Sequence, residues 1–222
     1  MILWALLLLL VIAISFILAK LSMKDYTEIP STKDFGLFLI KQPNNFNQEF
    51  LNLIRNDLQK LNSIISFERL FKGKEVALVV YGSKKMLSKY TNTLGLLELE
   101  DYSKLGEKDL GVWEIEFKQL TMDNGQLTMG ESLPQLLDNE QLWWQVIIAN
   151  SFKSQIKAAV VSEDPLKKQD LSKTLNLPAN FVRLPKVYSN AQLLDFYQKR
   201  SFQINEENPV LNPQQILKLL WI

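Results

Sequence analysis

The first 19 residues form one uninterrupted apolar run. They carry no charge, and Ser15 is their only polar side chain. As an α-helix the run would span about 28 Å, close to the ~30 Å hydrocarbon core of a bilayer. Trp4 lies near one predicted interface, and Lys20 and Lys24 lie at the other. The pattern therefore predicts a transmembrane anchor over residues 1–20, with Trp4, Lys20 and Lys24 at the membrane interfaces.

A cleaved signal peptide is the alternative interpretation of this run. Such peptides have a basic start, an apolar stretch of about 7–15 residues and a cleavage site of small residues. Here no basic residue precedes the run, the run is longer, and residues 18–20 are a poor cleavage site. We therefore expect an uncleaved, single-pass anchor in the cell membrane. Because the lysines follow the helix, the positive-inside rule predicts that the remaining chain faces the cytoplasm, linked by a short tether over residues 21–33.

The pattern of residues 34–103 predicts a compact α+β unit. Continuous apolar runs indicate buried strands, apolar positions recurring every three or four residues indicate amphipathic helices, and Gly73 marks a hairpin. In chain order the predicted elements are a strand at 35–40, a helix at 50–61, strands at 65–71 and 75–81, a helix at 83–94 and a strand at 96–99. This order is that of the ferredoxin-like βαββαβ unit.

Residues 104–204 follow a weaker version of the same pattern. The predicted elements are a strand at 112–117, a turn at 124–125, strands at 143–148 and 155–161, and a helix at 190–200. They predict a second α+β half of the same kind. The fold class expected for the chain is therefore α+β, with an N-terminal transmembrane helix followed by two ferredoxin-like halves.

A short capped helix is predicted within residues 205–222. Asn212 is a favourable N-cap, and Pro213 suits the first helical position. The apolar residues that fall on one side of this helix are Ile216, Leu219 and Leu220. Isolated helices shorter than about 12–15 residues have marginal stability in water, so this apolar stripe must pack against other residues. We expect it to pack on the second half; the alternative is that it forms a dock for a partner protein.

The composition excludes several classes of site. The chain has no cysteine and no histidine, which excludes disulfides, thiol nucleophiles, imidazole triads and zinc sites built on either residue. A net charge of +1 provides no bulk attraction to nucleic acid. The strand predicted at 75–81 also lacks the aromatic pattern of RNA-binding ferredoxin-like domains. We therefore predict no catalytic residue, metal or cofactor, no direct nucleic-acid binding and no identifiable small-molecule substrate.

Two pairs of polar residues have spacings that could in principle support catalysis. Ser154 and Lys157 have the spacing of the S-x-x-K enzymes, but that chemistry requires a helix, and this segment alternates like a strand. Glu114 and Glu116 could act as a carboxylate pair. Their alternation with apolar residues is instead typical of the solvated face of a half-buried sheet. Neither pair supports an enzyme.

Adjacent tryptophans are the best candidates for protein contacts. On a strand, Trp143 and Trp144 must point to opposite faces. One is expected in the core, and the other is covered either by neighbouring elements or by a partner. Together with the end of the C-terminal helix they make up the predicted partner contacts, Trp143, Trp144, Leu220 and Trp221.

Besides the N-terminal anchor and the tether, the chain contains five characteristic segments: ISFERLF at 65–71, LEDY at 99–102, LWWQVII at 142–148, LLDFYQKRSF at 193–202 and LNPQQILKLL at 211–220. With these features the layout resembles the N-terminal, non-motor region of membrane-anchored proteins related to the conjugative-transfer (type IV secretion) ATPases of small-genome bacteria. These motifs are structural, and no Walker motif accompanies them. The resemblance implies a membrane-tethered assembly domain on the cytoplasmic side, without motor activity.

The function expected from the sequence is therefore protein interaction at a membrane. The chain would be a single-pass, membrane-anchored assembly domain of a type IV secretion or DNA-transfer-like complex, with the lipid bilayer and other membrane-complex proteins as its partners. The alternative is a membrane-tethered α+β domain of unrelated role that faces outside the cell.

Overall fold

The computed structural model describes residues 14, 26–27, 34–103, 110–117, 136–137, 139–149, 152–162, 164, 166, 181–183, 189–203 and 208–220. Apart from Ile14, the anchor predicted over 1–20 lies outside these residues, as do most of the tether at 21–33 and the turn at 124–125. Within the described part of the chain, no helix is both long enough and apolar enough to cross a bilayer.

The described chain contains helices and a sheet of antiparallel strands, so the predicted α+β class is confirmed. The strands are β1 Tyr26–Thr27, β2 Phe35–Ile40, β3 Ile65–Lys72, β4 Glu75–Ser83, β5 Leu96–Leu99, β6 Leu110–Phe117, β7 Gln141–Ile148, β8 Ser154–Val161, β9 Phe181–Arg183 and β10 Phe202–Gln203. The α-helices are α1 Gln48–Leu61, α2 Lys84–Leu87, α3 Thr91–Leu94, α4 Asn190–Gln198 and α5 Pro213–Leu219. Short 3₁₀ helices occupy Pro43–Asn45 and Ser88–Tyr90.

The first half contains the elements predicted for residues 34–103, in the predicted order. Its strands lie side by side as β5-β2-β4-β3, and all neighbours are antiparallel. The second helix differs from the prediction, because it is divided into α2, a 3₁₀ turn and α3. The division lies at Ser88, whose hydroxyl donates to Lys85 O at 2.9 Å, a local bond by which serine competes with the backbone bonds of a helix.

One strand pair joins the two halves into a single eight-stranded sheet. β3 and β7 pair antiparallel over their whole lengths, from Ile65 opposite Ile148 to Lys72 opposite Gln141. The second half then continues as β7-β8-β6-β9, again with antiparallel neighbours. When the strands of each half are numbered in chain order, the first half has the order 4-1-3-2 across the sheet and the second half has the reverse order, 2-3-1-4. The sheet is therefore nearly symmetric about the β3–β7 pair.

One face of the sheet packs against α1 and α5. Asn47 caps α1 by accepting a hydrogen bond from the Phe50 amide at 3.0 Å, and Asn62 ends the helix in the left-handed region at φ 45°. The buried residues of α1 are Phe50, Leu51, Ile54 and Leu58. They join apolar side chains of both halves, including Phe67 and Trp144, in the main core.

The C-terminal helix begins as predicted and packs in the main core. Asn212 and Gln215 exchange side-chain-to-backbone hydrogen bonds of 2.8 and 2.9 Å, a capping box with Pro213 at the first position. We expected it on the second half, and its buried side chains lie in a cluster with residues of both halves, while α1 of the first half is in contact with it as well. The segment before α5 is bound to the β7–β8 hairpin, because the Ser154 amide donates to Pro209 O and the Leu211 amide donates to Phe152 O.

The opposite face of the sheet packs against α4. A capping box between Ser189 and Gln192 starts this helix. Its residues Leu193, Leu194 and Tyr197 form a second core cluster with Trp143. Both faces of the central strands are thus covered by the chain itself.

Candidate functional site

A row of polar side chains crosses the α4 face of the sheet at the junction between the halves. Glu68 of β3 lies opposite Gln145 of β7, which lies opposite Lys157 of β8. Directly opposite residues in antiparallel strands share a face, so the three side chains form a line. All three are buried, with 0%, 0% and 2% of their surface exposed. Such a row is expensive to bury unless each group has partners.

Arg200 provides the charge that Glu68 requires. Its guanidinium lies 3.0 Å from one Glu68 oxygen and 3.3 Å from the other, and it also donates to Asp101 at 2.5 and 3.2 Å. The side chains of Arg200 and Glu68 are fully buried, whereas that of Asp101 is 27% exposed. The guanidinium carbon also lies 4.5 Å from the centre of the Tyr81 ring, a cation–π contact.

Neutral hydrogen-bond donors complete the shell around Glu68. Tyr102 donates its hydroxyl to Glu68 at 2.5 Å and lies 3.0 Å from the Tyr197 hydroxyl. Ser66 and the amide of Gln145 donate to the other carboxylate oxygen at 2.9 and 3.0 Å. We call this set of residues the junction cluster: Ser66, Glu68, Asp101, Tyr102, Gln145, Tyr197 and Arg200. Because Arg200 belongs to the second half and both carboxylates to the first, the cluster ties the halves together.

An unusual helix end places Arg200 in the cluster. The amide of Ser201 donates to Phe196 O at 2.9 Å, and that of Arg200 donates to Tyr197 O at 3.1 Å, the two bonds of a Schellman motif. Arg200 occupies the left-handed position, with φ 50°, where glycine is the usual residue. Lys157 adds hydrogen bonds from its ammonium to Phe196 O and Ser201 O, at 3.3 and 2.5 Å. Because a cation near a helix C-terminus is stabilising, Lys157 stabilises the same turn at the end of α4.

The cluster shifts the ionisation of its members. Burial raises the pKa of Asp101, but the hydrogen bonds and charge of Arg200 outweigh it, so the pKa lies below its usual value. Burial lowers the pKa of Arg200, but the charge of Glu68 raises it well above its usual value. Burial and the charge of Glu68 raise the pKa of Tyr102 and of Tyr197 far above normal. At neutral pH the cluster therefore contains a charged guanidinium and two neutral phenols.

These raised tyrosine pKa values predict a loss of stability in alkaline solution. Burial also raises the pKa of Tyr81. When the folded pKa exceeds the unfolded pKa of ~10, stability is full below about pH 10 and falls as the pH rises toward the folded value. We expect thermal melts between about pH 9 and 11.5 to show a steeper fall in Tm for the native chain than for Tyr197→Phe. Equal slopes of Tm against pH for the two proteins would contradict the prediction. Lysines titrate in both proteins, so their effect cancels in the comparison.

Of the charged members of the cluster, Glu68 and Arg200 are fully buried, and only Asp101 is partly exposed. A groove of about 650 Å³ opens at the end of the β3–β4 hairpin, and Tyr102 is the only member of the junction cluster among its lining residues. The described residues include no group of acidic side chains suited to hold a metal ion. The ion pairs of the junction cluster join Arg200 of the second half to Glu68 and Asp101 of the first half, and they can hold the two halves in register.

Of the polar pairs considered from the sequence, Ser154 and Lys157 are not brought together. On β8, Ser154 donates its hydroxyl to Phe152 O at 3.0 Å, while Lys157 reaches the end of α4 on the other face. This strand geometry is the one predicted, and it separates the two side chains. Glu114 and Glu116 lie on β6, where their backbones are in register with Lys157 of β8 and Val182 of β9.

The predicted partner contacts require a correction. Trp143 and Trp144 are 2% and 1% exposed, and Leu220 is fully buried, so all three belong to the core of this chain. The tryptophans do point to opposite faces, but α4 covers one face, and α1 with α5 covers the other. Trp221 lies outside the described residues, as do Trp4, Lys20 and Lys24.

Compared with protein-family models, with curated proteins and with solved structures, the chain matches none of them. The proposals below therefore rest on its own residues and their arrangement.

Proposed function

We propose that this chain is a single-pass, membrane-anchored assembly domain that binds other proteins of a membrane complex and carries no catalytic centre. The observation that carries the proposal is the use of the junction cluster: Arg200 of the second half pairs with Glu68 and Asp101 of the first. The uncharged run at residues 1–19, followed by Lys20 and Lys24, supports the membrane anchor.

Each half of the domain is, in this proposal, a ferredoxin-like unit. The strand orders β5-β2-β4-β3 and β7-β8-β6-β9, each antiparallel throughout, support this assignment. In both halves the first strand in the chain lies between the third and the fourth, as the βαββαβ connection requires. A rigid sheet of two such units suits a scaffold, because its outer elements keep fixed relative positions.

The proposed place of this scaffold is the cytoplasmic side of the cell membrane. Its partners there are other membrane-complex proteins, in an assembly related to type IV secretion or DNA transfer. Lys20 and Lys24 support the orientation, and the segments at 65–71 and 142–148 carry the resemblance to that group of proteins.

A membrane fractionation experiment tests the anchor and its orientation. We expect the full chain to remain in the membrane after carbonate extraction, and a variant lacking residues 1–20 to be released. Protease added to intact cells should leave the domain whole, and protease added to opened cells should digest it. Release of the full chain by carbonate would remove the anchor from the proposal. Digestion in intact cells would place the domain outside the cell.

Chemical cross-linking in the same membranes tests the assembly role. We expect the chain to form cross-linked products with other membrane proteins, identified by mass spectrometry, and the variant lacking residues 1–20 to lose them. Cross-linking that yields only the uncombined chain at every reagent concentration would contradict an assembly function. The genes beside the coding sequence provide an independent check, since motor and pore genes are expected there.

A further inference from the structure

The tether makes a specific contact with the folded domain. Tyr26 and Thr27 form β1, which pairs antiparallel with β10, so that Tyr26 lies opposite Gln203 and Thr27 opposite Phe202. The sequence analysis treated residues 21–33 as a simple spacer between anchor and domain. The structure instead attaches part of this segment to the second half, before the chain reaches β2 of the first half.

The attachment point on the domain is rigid. β10 starts two residues after Arg200, and Arg200, Ser201 and Phe202 are 0%, 0% and 3% exposed. The Schellman motif and the ion pairs of Arg200 therefore fix the strand that receives β1. We call the segment from Lys199 to Gln203 the α4–β10 corner.

Chain length then limits how far this corner can lie from the membrane. The predicted anchor ends at residue 20, and an extended chain covers at most about 3.3–3.6 Å per residue. The path from residue 20 to Tyr26 therefore spans no more than about 20 Å. If the first contact were at Phe35, the same calculation would allow about 50 Å. Pairing of β1 with β10 thus shortens the effective tether by more than half.

We propose that the β1–β10 pair docks the domain against the bilayer, with the α4–β10 corner facing the lipid surface. This inference rests on the membrane anchor of the proposed function. The domain is held in one orientation, and the length of chain between Thr27 and Phe35 does not set its distance from the membrane.

Two insertions of equal length distinguish a docked domain from a freely swinging one. One variant receives six Gly/Ser residues between residues 23 and 24, before β1, and the other receives them between residues 30 and 31, after β1. Six flexible residues add roughly 13 Å of root-mean-square length. With β1 docked, only the first insertion separates the corner from the bilayer. Without docking, the two insertions lengthen the tether equally.

The distance between the α4–β10 corner and the bilayer is measured by fluorescence energy transfer to a dye at the lipid surface. The native chain has no cysteine, so Lys199→Cys provides a single labelling site at the exposed edge of the corner. The labelled full chain is placed in phosphatidylcholine–phosphatidylglycerol vesicles that carry an acceptor dye on the lipid headgroup. We expect transfer efficiency to fall at least twofold with the insertion before β1 and to stay unchanged with the insertion after it. Equal falls for both insertions, or no change with either, would overturn the proposal.

A disulfide test examines the strand pair without a membrane. Opposite residues of antiparallel strands have Cα atoms about 4.5–5.5 Å apart, within the range that a disulfide spans. We expect Tyr26→Cys/Gln203→Cys to cross-link fully on mild oxidation in detergent, and the control Tyr26→Cys/Lys199→Cys to remain largely reduced. Failure of the first pair, or equal cross-linking of both, would overturn docking. Failure of the chain to remain in membranes would instead overturn the proposed anchor.

Discussion

Replacing Arg200 by methionine should lower the free energy of unfolding by about 3–5 kcal/mol. Methionine preserves much of the side-chain volume but removes the cation, so Glu68 is left without its ion-pair partner in a site that is fully buried. The measurement is urea unfolding at neutral pH, with the free energy extrapolated to water.

Two further variants show whether the loss comes from the charge. Lys199→Met removes the adjacent cation, whose pair with Asp195 is exposed by 43% and 49%, and should lower the free energy of unfolding by less than about 1 kcal/mol. Adding Glu68→Gln to Arg200→Met should restore part of the lost stability, because a neutral amide is easier to bury than an unpaired carboxylate. If Arg200→Met were as mild as Lys199→Met, the cluster would not be the link between the halves.

The backbone at Arg200 provides a separate comparison. Its φ of 50° suits glycine better than any other residue. Arg200→Gly and Arg200→Ala both remove the ion pairs, but the glycine variant should be more stable than the alanine variant by up to about 1 kcal/mol. The native arginine is thus kept in a conformation that its backbone disfavours because its side chain forms the buried pairs.

Deleting residues 212–222 should lower the free energy of unfolding by roughly 5 kcal/mol or more. Ile216, Leu219 and Leu220 are each fully buried, and burial of one such side chain contributes about 1.5–3 kcal/mol. The deletion also removes the Leu220 carbonyl that accepts a hydrogen bond from Arg69 of β3. Since total stabilities are about 5–15 kcal/mol, the shortened chain is expected to melt far below the native one or to remain unfolded.

A point variant makes this result specific to the apolar stripe. Leu219→Ala should lower the free energy of unfolding by about 2–5 kcal/mol, whereas Lys218→Ala, on the exposed side of the same helix, should change it by less than about 0.5 kcal/mol. Unchanged melting of the shortened chain, with loss of a bound protein, would favour the alternative in which α5 docks a partner.

Local patterns in the sequence predict most of the individual elements. The alternation and run lengths indicate β2, β3, β4, β7 and β8, and the pair Asn212-Pro213 indicates the start of α5. Each of these signals depends on residues close together in the chain. The division of the second helix into α2 and α3 was missed, although Ser88, which lies at the break, is visible in the sequence.

The site depends on contacts that local patterns do not contain. Glu68 and Arg200 are separated by 132 positions, and no period or motif relates them. Nothing in the residues around Arg200 indicates a left-handed helix end, because the glycine that normally signals it is absent. One signal was available: Glu68 is an acidic residue at the centre of a strand that also carries the apolar residues Ile65, Phe67 and Phe71, and a buried carboxylate requires a partner. For the tryptophans, alternation predicted opposite faces correctly, but burial of both depends on α4 and α5, which lie far away in sequence.

The β3–β7 pair also has a consequence for the order in which the chain is made. β3 is complete at Lys72, whereas its partner strand ends at Ile148, and the stretch between them takes several seconds to synthesise at about 5–20 residues per second. Until β7 is made, β3 has no partner on that side, and an uncovered sheet edge is the kind that recruits strands from other chains. Glu68 lies at the centre of this strand, and charged residues on an edge oppose such pairing. The carboxylate that binds Arg200 in the folded domain is thus also placed where a charge would limit pairing with other chains during synthesis.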